Sequence, residues 1–112
     1  MIYTSYYAKA NKLNKDLKLI SIARYSPKWM KIDEYKALAP TKEILFQYKE
    51  DGNIRKYIRA YRKNVLSKLS VDKIASDLDG CVLMCYEKSS DFCHRHIVAK
   101  WLQIHGYKCK EI

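Results

Sequence analysis

Glycine and proline are scarce, with three Gly and two Pro in 112 residues. That scarcity excludes collagen-like, linker-rich and turn-dominated architectures. No apolar run approaches the roughly 18 residues needed to span a bilayer. Met1-Ile2-Tyr3-Thr4 has neither the basic nor the apolar stretch of a secretory leader. The expectation is a cytoplasmic protein with no membrane partner. Acidic residues are few as well, 12 against 22 Lys and Arg, leaving a net charge of +10. Such a balance draws nucleic acid or other anionic partners by long-range attraction. It is equally what an AT-rich coding sequence produces, because Lys, Tyr, Ile and Asn are plentiful together.

What is present suffices for one core. Hydrophobic residues make up 48% of the chain, which excludes wholesale disorder, and residues 1–112 read as one domain. The four cysteines (Cys81, Cys85, Cys93 and Cys109) fall in the last third. Without a leader they read as reduced thiols.

Strands are expected over 2–7, 17–23 and 81–86, with a short closing strand within 107–111. Cys81-Val-Leu-Met-Cys-Tyr86 is a continuous apolar run, as in a strand covered on both faces. Thr41 is positioned as the N-cap of a helix ending at Asp51-Gly52-Asn53. A longer helix over 54–69 aligns Ile54, Tyr57, Ile58, Tyr61, Val65 and Leu69 on one stripe. Val71–Leu78 forms a short helix, and a last helix over 93–105 follows, with Asp91 as its cap and Gly106 after its end. Strands alternating with helices predict an α/β fold: a small three-layer domain with a mostly parallel sheet of about four strands flanked by helices.

Chemistry concentrates between residues 85 and 96. Ligands of open α/β sheets collect at the carboxyl ends of strands, and Glu87 stands just past such an end. Cys93, beside a helix N-terminus and next to His94 and Arg95, is where a thiol becomes nucleophilic, with Glu87 as proton acceptor. Cys93 also shares a helical stripe with Ile97, Trp101 and Ile104, so packing is the competing role. His96 falls on the solvent face. The helix N-terminus and a bidentate Arg95 form an anion site, with Arg24 arriving from the neighbouring strand end. Cys85, Cys93, His94 and His96 lie close in sequence, but zinc modules use short Cys-x₂₋₄-Cys turns or matched Cys/His pairs. Cys81 and Cys85, about 13 Å apart along one strand at strand rise, cannot share an ion. No metal is expected, and no other cofactor is indicated. An alternative function uses the Arg55, Arg59 and Arg62 face of the long helix, either to hold nucleic acid weakly, without sequence preference and with steep salt dependence, or as an interaction module for an acidic protein partner.

Cys85-Tyr86-Glu87 followed by Cys93-His94-Arg95 resembles the signature of the domain of unknown function 488 family, Cys-x-Glu ending a strand and Cys-His-Arg opening a helix. Tyr3-Thr4-Ser5-Tyr6 stands where that family has its first-strand motif. Ile20-Ser21-Ile22-Ala23-Arg24 with Ser26-Pro27 is similar to its second-strand segment, and Leu38-Ala39-Pro40-Thr41 to a Leu-Ala-Pro-Ser stretch of one branch. The family's Asp ahead of Val-Arg is Ser21 or Ala23 here. The resemblance implies a polar cleft lined by Arg24, Glu87, Cys93 and Arg95, with Thr4 and Ser5 nearby and an anionic small molecule such as a nucleotide as ligand. It brings no established activity.

Overall fold

The structure, a computed structural model, describes residues 1–112. Five strands form one parallel sheet: β1 (Ile2–Tyr6), β2 (Lys18–Ser21), β3 (Asp33–Glu34), β4 (Cys81–Cys85) and β5 (Cys109–Glu111), in the order β3-β2-β4-β1-β5. The fifth strand, β3, is two exposed residues at the sheet edge, and nothing in Asp33-Glu34 marks a strand. Between the other elements run α1 (Lys42–Asp51), α2 (Ile54–Asn64), α3 (Val71–Leu78) and α4 (His94–Ile104). None of these helices is long and apolar enough to cross a membrane.

Alternation along β4 divides the interior. Cys81 and Leu83 join Ile2 and Ile20 in a core under the helices, built from Ile44, Tyr57, Tyr61, Ile74, Leu78, Ile97, Val98 and Leu102. Val82 and Met84 point to the other face, where Tyr7 and Ala23 meet them. That face is covered by a 3₁₀ turn over Tyr7–Lys12 and the irregular segment after β2 rather than by α-helices. All five residues of β4 are buried, which is why its sequence is apolar without alternation.

Local chemistry sets the helix ends. Thr41 Oγ1 accepts from the Ile44 N–H, and Gly52, at φ 59°, takes the left-handed closing conformation that side chains disfavour. The long helix stops at Asn64 rather than Leu69, and a 3₁₀ turn over Leu66–Lys68 follows. A continued α-helix would turn Leu66 about 100° from Val65. The tighter turn buries both, at 6% and 2% exposure. Ile54, expected on the buried stripe, opens the helix and is exposed. Asp91 does not cap α4. The N-cap is Cys93, whose side chain makes no capping hydrogen bond, because Lys88-Ser89-Ser90-Asp91 forms a turn of its own closed by the Asp91 N–H on the Lys88 carbonyl.

Candidate functional site

The carboxyl ends of β2 and β4 face α1, α2 and the start of α4 across a cleft of about 150 Å³. Its walls include Tyr25, Tyr48, Tyr57, Tyr86 and Phe92, and its polar groups come from Arg24, Glu87 and His94, with Cys85 and Cys93 beside them. The aromatic wall is a packed unit. Tyr48, Tyr57 and Phe92 meet in edge and tilted contacts with ring centroids 4.9–5.5 Å apart. Tyr86 packs edge-on to Tyr7, and its hydroxyl donates to the Tyr25 carbonyl at 2.6 Å. Burial raises the Tyr57 hydroxyl pKa, with Glu87 and Tyr48 adding to the effect.

Arg24 follows β2 and lies against the Tyr25 ring, its guanidinium carbon 5.7 Å from the centroid. Its Nε is buried and has no hydrogen-bond partner. Glu87 is exposed at the rim and forms no ion pair or hydrogen bond. His94 is buried, with Nε2 2.7 Å from the Ile22 carbonyl oxygen. Burial brings its pKa down to about 4 against the pull of that hydrogen bond, with the Arg95 charge assisting, so the ring is neutral at pH 7. Since the carbonyl can only accept, Nε2 carries the proton and Nδ1 the lone pair.

The thiols depart from expectation. Cys85 and Cys93 are joined as a disulfide, and only Cys81 and Cys109 are free, both buried. The side chain of Cys85 leaves β4 on the helix face, and the chain returns to that face eight residues later at the start of α4. His96, expected on the solvent face, is half-buried, and its Nε2 has no partner.

Arg95 also departs from expectation. It does not enter the cleft. The side chain is fully buried and forms a bidentate pair with Glu111 of β5, Nε to Oε1 at 3.1 Å and Nη2 to Oε2 at 2.8 Å. Nη1 reaches the Cys85 sulfur at 3.4 Å. Thr4 and Ser5 likewise lie outside the cleft. Thr4 is registered opposite Glu111 and donates to its Oε1 at 2.5 Å, while Ser5 donates to the Ile112 carbonyl at 2.8 Å. Ser89 adds a bond to Glu111 Oε2 at 2.6 Å. Burial alone would raise the Glu111 pKa, but donation from Arg95, Ser89 and Thr4 outweighs it and holds the carboxyl at about 2. Arg95 is thus saturated by its own chain. Its position one residue after His94 turns it about 100° around α4, away from the cleft and over β1 and β5.

The residues singled out from the sequence therefore separate into two groups. Arg24, Glu87, Cys93 and His94 share the cleft. Arg95, Thr4 and Ser5 belong with the closing strand, together with Glu111, which no motif in the sequence singles out. The available signal was the need of any buried guanidinium for a carboxylate. Arg55, Arg59 and Arg62 lie apart from both, exposed on α2 beside Lys63 and in no ion pair.

A parallel sheet with helices packed against it, Cys-x-Glu at the end of its central strand and Cys-His-Arg at the start of the last helix, define a DUF488-type α/β domain. The family DUF488-N3a, described as the active DUF488-N3 subclade, matches residues 2–106, and the chain belongs to that family. No curated protein and no solved structure matches the chain.

Proposed function

We propose that the cleft binds a small anionic ligand with a planar ring, of which a nucleotide is the representative, and that Arg24 rather than Arg95 holds the anionic group. The observation that carries this reading is the buried, unpartnered Nε of Arg24 beside an aromatic-walled cavity. A buried donor left unpaired costs free energy that a ligand oxygen recovers. A cavity near 150 Å³ accepts one aromatic ring, so the ring stacks among Tyr48, Tyr57 and Phe92 while the charged group stays at the rim. Glu87, free of internal partners, accepts hydrogen bonds from the ring's amino or imino groups. The first turn of α4, uncapped by any side chain, adds its backbone N–H groups to the positive field.

The thiol-dependent half of the reading takes a condition. Cys93 is a nucleophile only once its bond to Cys85 is reduced, and Glu87 then serves as the proton acceptor at the rim. In the disulfide form the cleft is a binding site.

Calorimetric titration with nucleoside monophosphates and with inorganic phosphate tests the binding. Arg24→Ala should weaken nucleotide affinity by about 10–100-fold, the worth of one charged hydrogen bond, with the melting temperature little changed. An Arg24→Ala protein that binds as well as the parent would contradict the assignment. A second reading, weak nucleic-acid binding by Arg55, Arg59 and Arg62, is favoured by their exposure and lack of acidic partners. It would use α2 and leave the cleft empty.

A further inference from the structure

At the cleft floor, the sulfur atoms of Cys85 and Cys93 and a ring nitrogen of His94 lie within 4.8 Å of one another, and all three residues are buried. The histidine is oriented from behind. Its Nε2–H donates to the Ile22 carbonyl, which leaves the Nδ1 lone pair on the sulfur side, 3.9 Å from Cys93 Sγ. Metal-ligating histidines are held in this manner, one ring nitrogen fixed on a backbone carbonyl and the other presented to the ion. The backbone holds the Cα atoms of Cys85 and Cys93 7.4 Å apart, wider than the 4.4–6.8 Å over which disulfides usually form. A cation between the two sulfurs suits such a spacing.

We propose that in the dithiol form Cys85, Cys93 and His94 bind a borderline-soft divalent cation, zinc above all, with its fourth position open to the cleft. Two thiolates neutralise the charge of the ion, and a thiolate–imidazole set selects zinc over magnesium or calcium. Arg95 does not oppose the site electrostatically. Its charge is matched by Glu111, and its Nη1 donates to Cys85 Sγ, favouring the thiolate there. The spacing of Cys85, Cys93 and His94 matches no usual zinc turn, yet the turn into α4 brings Cys93 and His94 back to Cys85. Formation of the site balances simply. The disulfide takes two electrons and two protons from a dithiol reductant, which becomes a disulfide itself. Zinc binding then releases both thiol protons to solvent. The test contains no nucleotide, so it stands apart from the nucleotide reading; a bound cation takes up the Cys93 thiolate that the metal-free dithiol offers as a nucleophile.

The test is an anaerobic titration of the reduced full-length chain with Co²⁺ as the spectroscopic probe, followed by displacement with Zn²⁺. One equivalent should bind, with thiolate-to-cobalt charge-transfer absorption that zinc abolishes. Cys85→Ser, Cys93→Ser and His94→Gln should each weaken binding by about 100-fold or more, beyond the usual 10–100-fold cost of an outer-shell partner. Cys109→Ser, with its buried thiol outside the cluster, should leave it unchanged. X-ray absorption of the zinc-loaded parent chain, which needs no variant to fold, should give two sulfur ligands and one imidazole nitrogen. The absence of charge-transfer absorption, binding that survives Cys93→Ser, or a zinc shell without sulfur would overturn the proposal.

Discussion

Glu111→Gln should destabilise the protein by about 3 kcal/mol at pH 7, lowering Tm by roughly 10 °C. The substitution keeps shape and removes charge. It leaves the Arg95 guanidinium, 0% exposed, without its counter-ion. Removing one member of a buried pair costs more than the pair contributes, because the remaining charge is stranded in a medium that solvates it poorly. The lower end of the usual 3–5 kcal/mol range applies, since Glu111 keeps 26% of its side chain exposed and water reaches it. Glu87→Gln, the same chemical change at an unpaired rim residue, should stay within about 0.5 kcal/mol. Equal effects of the two substitutions would contradict the placement of Arg95.

The pair also predicts a pH dependence. The folded-state pKa of Glu111, about 2, is depressed below its ordinary value. Its contribution is therefore complete above the ordinary carboxylate range and is lost as pH falls towards 2. Urea unfolding at pH 7 and at pH 3 should show the difference between the parent and Glu111→Gln shrinking on acidification. The acid cost of protonating buried His94, whose pKa is held near 4, falls on both proteins and cancels in that difference. A gap independent of pH would show that the carboxylate charge is not what stabilises Arg95.

Val65→Asp carries the second large effect, of order 3 kcal/mol or more. Val65 follows the last residue of α2, is 6% exposed and belongs to the core beneath the helices. The side chains around it in that core are apolar, so the group must shift its pKa, drag water inward or unfold the helix end. Asn64→Asp, one residue earlier and exposed, should change stability by less than about 0.5 kcal/mol. Thermal unfolding of the two variants side by side checks the helix phase. Similar melting temperatures would mean that the stripe is misplaced.

The sequence is most legible where one local pattern decides the outcome. The apolar run 81–86 reads as a strand because every residue of β4 is covered, and α3 coincides with the expected 71–78 because its cap and stripe are local. Arg24, Glu87, Cys93 and His94 could be gathered from a strand–loop–helix pattern and a resemblance, since the carboxyl edge of a parallel sheet collects whatever follows its strands. The fate of Arg95 was not legible in this way. Its partner lies on β5, and whether β5 pairs beside β1 and sets Glu111 opposite Thr4 is a question of register between distant segments. The Cys85–Cys93 link was missed for a related reason. Compartment and spacing speak to whether thiols oxidise, but not to whether the chain returns a cysteine to the same face of the sheet eight residues later. The edge strand β3 has no hydrophobic signature because neither of its residues is buried.

Ligand chemistry is proposed to belong to the cleft beside Arg24. Backbone amide NMR during titration with a nucleoside monophosphate tests it most directly. Saturable shifts should be confined to Arg24, Tyr25, Tyr48, Tyr57, Glu87, Phe92 and His94, with no change along Arg55, Arg59, Arg62 and Lys63. Shifts that follow the exposed arginines of α2 and leave Arg24 and Glu87 unmoved would contradict it.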